Sequence, residues 1–246
     1  MSNPIKGTIA VSANYGVGKT TFALECGYLP QQICIIDDDG KDLGIDPNNF
    51  GCYVNLLKET SKMTISDIHQ YCLDLILELD NYEVIIWDTW TKFAETFYPY
   101  VVAHPDEFRT HKQYAATKEI VGGRMWQDSY RYEGAVISRL KEKCRLLILT
   151  FHLKDLYVDQ IKIPDKFKPG HDNAISKHSD LRIWLTPNPN SQVPNGLVMK
   201  NISKRVIIDG KVRTERVLPL KIEKCNWDTG IVTGKQIGRA SCRERV

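Results

Sequence analysis

Four short apolar runs frame this chain of 246 residues: Thr8-Ile9-Ala10-Val11, Ile33-Cys34-Ile35-Ile36, Val84-Ile85-Ile86-Trp87-Asp88 and Leu146-Leu147-Ile148-Leu149-Thr150. Each is four or five residues long and nearly unbroken in apolarity. That pattern predicts strands buried on both faces, as in a parallel sheet, where alternation with polar residues would be lost. Cys52 to Leu56 and Leu181 to Leu185 are shorter candidates of the same kind. Helical patterns lie between them. Thr20 to Cys26 reads as a helix start. Thr64 precedes Asp67 by three, a variant of the capping box, and Ile65, Ile68, Cys72, Leu75, Ile76 and Leu79 follow at a spacing that gives one buried face. Tyr130 to Lys143 predicts a further helix. Residues 97–127 mix aromatic residues with Arg109, Lys112, Lys118, Arg124 and Gly122-Gly123, and read as an inserted flap.

The C-terminal part changes texture. Leu153 to Ser179 is a lysine-bearing stretch, and Pro187 to Gly196 is a loop rich in proline and asparagine. Leu197 to Ile208 and Lys211 to Ile222 flank Asp209-Gly210, a strong hairpin signal. Strands alternating with helices and then a hairpin predict an α/β fold, with a mostly parallel central sheet flanked by helices and a C-terminal antiparallel hairpin at 197–222.

Composition narrows the class. Apolar content of 42% and charged content of 26% are ordinary for a globular protein, and the chain is long enough for one α/β domain with additions. A net charge of +3 does not by itself imply a polyanionic partner. The seven cysteines form no C-x-x-C pair, so buried reduced thiols are expected rather than a zinc or redox site. No N-terminal stretch reads as a signal peptide and no apolar run is long enough for a bilayer, so a cytoplasmic protein with no membrane partner is expected. Residues 237–246 carry three arginines without apolar periodicity and resemble one reading frame of a short-read sequencing adapter. They are set aside, which leaves 1–236 as a single domain.

The chemistry starts at Ala13-Asn14-Tyr15-Gly16-Val17-Gly18-Lys19-Thr20, followed by Thr21. It has the spacing of a phosphate-binding loop, with Ala13 at the first glycine position. Gly16 and Gly18 let the backbone curl so that N–H groups face phosphate oxygens. Lys19 can reach the β- and γ-phosphates of ATP, and the Thr20 hydroxyl can ligate Mg²⁺. A strand before the loop and a helix after it supply the context that separates this motif from a glycine-rich turn with a chance lysine. Asp88 closes an apolar strand in the Walker-B pattern and would hold Mg²⁺ opposite Thr20; the alternative is a helix N-cap. Asp37, Asp38 and Asp39 end the second strand, at the sheet edge where ligands of open α/β sheets bind. Either they form a solvated acidic turn before Gly40, or one of them orients an attacking water. His152, at the end of Thr150-Phe151-His152, can sense a γ-phosphate, although a lone histidine is more often structural. His171 and His178 read as surface loop residues.

This order of parts resembles the RecA-type recombinase ATPases, especially the small RecA-like nucleotide-binding proteins of phages. The resemblance runs over roughly residues 5–226, and four segments carry it: Ala13–Thr20, Ile36-Asp37-Asp38-Asp39, Ile85-Ile86-Trp87-Asp88 and Leu149-Thr150-Phe151-His152. It implies a RecA-like P-loop NTPase fold and an Mg-ATP-hydrolysing enzyme acting on single-stranded DNA in recombination, annealing or repair. It also implies a bacterial cell's cytoplasm, with a host or phage gene. The family's catalytic glutamate falls at Asp39, one methylene shorter here, and its asparagine-glutamine pair falls at Phe151-His152. The catalytic set implied is Lys19, Asp39, Asp88 and His152. The family's second DNA-binding loop falls at Leu153 to Ser179, where Lys154, Lys162, Lys166, Lys168 and Lys177 would meet phosphates and Tyr157 and Phe167 would stack on bases. A solvated lysine-bearing loop or hairpin is the alternative, since Asp155, Asp159 and Asp165 dilute the charge. The family places ATP at subunit interfaces of a homo-oligomer, with a basic residue from the neighbour. Lys200, Lys204 and Arg205 are candidates for that role, or else edge-strand charges. Two rival functions remain. One is a nucleotide-gated DNA-binding or loading module that hydrolyses little. The other is a small-molecule P-loop kinase, for which Arg124, Arg131 and Arg139 are spread too widely to form a lid.

Overall fold

The apolar runs become strands, and their pairing decides what meets at one edge of the sheet. The computed structural model describes residues 7–40, 46–104, 107–108, 122–158, 161–169, 177–188, 194–200, 203–208 and 211–216. The strands are β1 (Gly7–Ala13), β2 (Ile33–Asp37), β3 (Cys52–Asn55), β4 (Tyr82–Asp88), β5 (Cys144–Val158), β6 (Ile161–Pro169), β7 (Leu181–Thr186), β8 (Asn195–Lys200), β9 (Ser203–Ile208) and β10 (Lys211–Arg216). The helices are α1 (Lys19–Leu24), α2 (Leu56–Thr60), α3 (Ile65–Glu78), α4 (Trp90–Ala103) and α5 (Gly122–Glu142).

Six strands run parallel in the order β3-β2-β4-β5-β1-β7, and β8 lies antiparallel to β7 at one edge. The α/β class and the mostly parallel sheet are therefore as expected. Because β5 lies between β1 and β4, its end is placed between the phosphate-loop candidate and Asp88. Successive residues of each strand serve opposite faces. Ile9, Val11, Ile35, Ile86 and Ile148 pack with Phe22 and Ala23 of α1 on one side. Ala10, Ile36, Ile85, Trp87, Leu147 and Phe151 pack with Cys72, Phe93, Phe97 and Val136 of α3, α4 and α5 on the other. Burying each such large side chain contributes about 1.5–3 kcal/mol.

The capping box forms as read: Asp67 N–H donates to Thr64 Oγ1 at 3.2 Å, and Thr64 N–H donates to Asp67 Oδ2 at 3.2 Å. Of the apolar positions named for that helix, Cys72, Ile76 and Leu79 are buried, whereas Ile65 is exposed.

Several expectations are corrected. The first part of the supposed flap, Phe97 to Ala103, completes α4, because burial of Phe97, Tyr100 and Val101 outweighs the penalty of Pro99 inside the helix. Helix α5 starts at Gly122 rather than Tyr130; two glycines at a helix terminus interrupt less than the pattern suggests. Residues 105–106 and 109–121 of the flap lie outside the described residues. Leu56 opens a helix rather than ending a strand. Within Leu153 to Ser179 the hairpin alternative is the one found: β5 runs on to Val158 and pairs antiparallel with β6, with Lys154 opposite Lys168 and a register break after Asp155. Pro164, which has no N–H to donate, falls in that break. Residues 197–208 are split between β8 in the main sheet and β9, which pairs with β10 in a two-stranded sheet. Asp209-Gly210 and 217–246, including the adapter-like end, lie outside the described residues.

His69, which the sequence does not single out, is fully buried between α3, α4 and α5. Thr96 Oγ1 donates to Phe93 O at 2.7 Å, so it accepts from His69 Nδ1, also at 2.7 Å. Nε2 then accepts from the Tyr132 hydroxyl at 3.3 Å, while the ring stacks on Tyr100 at 4.1 Å. Burial, with a smaller push from His104, lowers this imidazole from 6.5 to about 4. A base with a depressed folded pKa leaves the unfolded chain binding the proton first, so its stability contribution is full above 6.5 and is lost as pH falls toward 4. Between pH 7 and pH 5 the loss from this residue is about 2 kcal/mol. Urea unfolding of wild type and His69→Asn at both pH values checks this: the wild type should show the steeper loss, and parallel slopes would refute it.

Candidate nucleotide site

The loop after β1 takes the shape that its glycines permit. Gly16 and Gly18 have φ of 74° and 90°. A Cβ on Gly16 would meet nothing within 4 Å, so the left-handed backbone, rather than crowding, calls for glycine there. Ala13 is the last residue of β1, in register with His152, and that extended position needs no glycine. The departure at the first glycine position is thus accommodated. The Phe22 N–H donates to Gly18 O at 2.9 Å and starts α1. Val17 packs against the core, while Tyr15 and Thr21 are exposed.

Lys19 is only 4% exposed. Its ammonium donates to Asn14 O at 3.3 Å and lies 3.3 Å from His152 Nδ1. An ammonium only donates, so Nδ1 accepts and the proton of a neutral ring is on Nε2. Nε2 faces Asp39 Oδ1 at 3.4 Å. The imidazole therefore bridges Lys19 and Asp39, and Tyr15 stacks on it with centroids 3.9 Å apart. The His152 N–H also donates to Thr91 Oγ1 at 2.9 Å, which ties the strand end to α4. The sequence identified Tyr15 only as part of the loop; its stacking partner depends on β5 lying beside β1.

Asp88 is buried, and both of its carboxylate oxygens are engaged: Thr20 Oγ1 donates to Oδ2 and Thr150 Oγ1 to Oδ1. The N-cap alternative is excluded, because Thr89 occupies the position before α4. No group of three or more histidine, cysteine, aspartate or glutamate side chains among the described residues could cage a metal. A hydroxyl next to one carboxylate is a hard-oxygen pair of the kind Mg²⁺ takes when phosphates and water complete its shell, so Thr20 and Asp88 fit that ion.

The acidic segment after β2 is not a solvated turn. Asp37 and Asp38 are 2% and 5% exposed. Asp37 is a brace: Oδ1 accepts from the N–H groups of Asp39 and Gly40, both at 3.0 Å, and Oδ2 accepts from the Tyr53 hydroxyl at 2.8 Å. Asp38 N–H donates to Asp88 O at 2.6 Å. Burial pushes the Asp38 carboxyl up to about 7, opposed by Lys92 and reinforced by Asp39 and Asp37. Lys92 was not anticipated; a lysine four residues after a strand-ending aspartate was the available signal. Register pairs Asp37 with Asp88, so the two strand ends are neighbours.

The basic candidates divide. Lys154 is paired with Glu95 at 2.7 Å on the surface, a pair worth about 0–1 kcal/mol. Lys177 is exposed. Lys162, Lys166 and Lys168 lie on β6, Lys200 ends edge strand β8, and Lys204 and Arg205 lie on β9, all with side chains outside the described part. The same holds for Tyr157 and Phe167. His171 lies outside the described residues, and His178 packs against Gly134 of α5 instead of standing clear in a loop. Among the described residues no helix is long and apolar enough to cross a membrane.

None of the curated proteins matches the chain. Among solved structures, a KaiC-like protein from the hyperthermophilic archaeon Pyrococcus horikoshii is similar over 85% of this chain and 89% of that one, with 11% identity and a TM-score of 0.43. The family model of the AAA domain matches residues 5–213, which include the phosphate loop, Asp39, Asp88 and His152. The chain belongs to the AAA domain family, and its loop, lysine and strand-end carboxylate make it a P-loop NTPase.

Proposed function

We propose that this P-loop protein is an Mg-ATP-hydrolysing, RecA-type enzyme of a bacterium or phage that acts on single-stranded DNA. One observation carries the reading. His152 touches both Lys19 and the acidic turn, and its strand runs without a break into the β5–β6 ribbon that bears Lys154, Lys162, Lys166 and Lys168. When ATP binds, its phosphate oxygens would take Lys19 from Asn14 O and His152. Bound Mg²⁺, held at Thr20 and Asp88, would neutralise charge on the phosphates. Asp39 orients water and accepts its proton. His152, released from Lys19, shifts against Asp39 and Tyr15 and passes the change along β5. In a homo-oligomer, Lys200, Lys204 or Arg205 of a neighbour would complete the phosphate site.

Phosphate release with no DNA, single-stranded DNA and duplex DNA tests the reading, and stimulation by single strands above duplex is expected. Substituting Lys162, Lys166 and Lys168 together by alanine should reduce the salt dependence of single-strand binding, lowering the slope of log K against log salt by about 2. An unchanged slope would remove these lysines from the interface. The second reading is a DNA-binding module gated by nucleotide. It is favoured by the short Asp39 side chain and its engagement with His152, and it predicts ATP-dependent DNA binding with little phosphate release.

A further inference from the structure

Lys92 occupies the third position of α4, where the helix dipole disfavours a cation and no acidic residue of the first turn offsets it. A residue placed against its local preference at the rim of a ligand site calls for a reason beyond the helix. Its ammonium reaches across to the end of β2. It donates to the backbone oxygen of Asp38 and lies 3.9 Å from Asp38 Oδ1 and 4.0 Å from Asp39 Oδ1. That oxygen of Asp39 is the one that His152 Nε2 faces at 3.4 Å. The backbone on either side of Asp39 is therefore pinned twice. Asp37 Oδ1 holds the N–H groups of Asp39 and Gly40, and Lys92 holds the carbonyl of Asp38. With its side chain 41% exposed, Lys92 contributes little to stability as an ion pair, so its effect is on geometry.

We propose that Lys92 is a positioning residue: from α4 it fixes the Asp38-Asp39 turn and holds the Asp39 carboxylate toward the phosphate loop for attack by water. The inference rests on the reading of Asp39 as the water-orienting group. If it holds, Lys92→Met lowers kcat for ATP roughly 10- to 100-fold, since a small misplacement of a reacting group costs about that much. The KM for ATP and the Kd of a non-hydrolysable ATP analogue stay within about threefold, because Lys92 does not touch the loop that holds the phosphates. Lys92→Arg keeps charge and donors and recovers most of the rate. Adding Lys92→Met to Asp39→Asn costs little more than Asp39→Asn alone, because residues acting through one group are not additive.

Three results would overturn the proposal: a kcat for Lys92→Met within twofold of wild type, an analogue Kd weakened in step with kcat, or no recovery with arginine. A wild-type protein that binds ATP and never turns it over would overturn the hydrolytic reading itself, and this inference with it. Normal wild-type turnover left unchanged by Lys92→Met would overturn the inference alone.

Discussion

Replacing Lys19 with alanine is expected to abolish nucleotide binding and turnover together while leaving the fold intact. The ammonium is buried at the mouth of the loop, and among the contacts described there it meets two weak acceptors, Asn14 O and His152 Nδ1, each at 3.3 Å. Both are neutral, so neither competes well with a phosphate oxygen for a charge-assisted hydrogen bond. Removing one preorganised donor from developing charge costs about 100- to 1000-fold in rate, and here the same group also binds the ground state. Binding of a fluorescent ATP analogue should fall with phosphate release. The structural cost includes the loss of one hydrogen-bond partner each for Asn14 O and His152 Nδ1, about 1–3 kcal/mol in all. Far-ultraviolet circular dichroism and urea unfolding check that part. Undiminished phosphate release by Lys19→Ala would end the assignment of this loop as the nucleotide site.

Asp39→Asn should separate chemistry from binding. Asparagine keeps the shape and the Oδ1 acceptor, so His152 Nε2 can still donate to it across the present 3.4 Å contact. What is lost is the negative charge that orients water and takes its proton. General-base assistance contributes about 100- to 10,000-fold, so kcat should fall within that range while analogue affinity changes by less than about threefold. Rapid-quench measurement of the chemical step, alongside equilibrium binding, decides the matter. A matched loss of both would show that Asp39 serves the fold or the metal instead. Asp37, two residues earlier, makes a useful contrast. It braces the turn through two backbone N–H groups and Tyr53, so its replacement should reduce stability.

The fold was legible where one physical requirement acted alone. Strands buried on both faces must be apolar throughout, so β1, β2, β4 and the first half of β5 stood out from their runs of β-branched and aliphatic residues. The capping box of α3 was legible because its donors and acceptors lie within four residues of each other. Readings failed where tertiary burial overrode a local signal. Pro99 masked the second half of α4, whose Phe97 and Val101 are nonetheless in the core. Gly122-Gly123 masked the start of α5. For residues 154–168 the sequence left loop and hairpin open, because strands that carry many charged residues resemble loops, and only the pairing decided for a ribbon.

Lys19, Thr20 and Asp88 stood out as candidates from the sequence alone, because phosphate and magnesium chemistry demands such groups at fixed spacings from glycines and strand ends. Asp37, Asp38 and Asp39 could not be told apart in that way, since three adjacent carboxylates are chemically alike. Only the tertiary structure gave them different partners: Asp37 holds the turn, Asp38 meets Asp88 O and Lys92, and Asp39 faces His152. The strand order did the same for His152, because placing β5 between β1 and β4 brings an imidazole 133 residues from Lys19 to within 3.3 Å of it. Contacts made across a sheet depend on which strands are neighbours, and that order is set by burial of the whole core and not by any local run of residues.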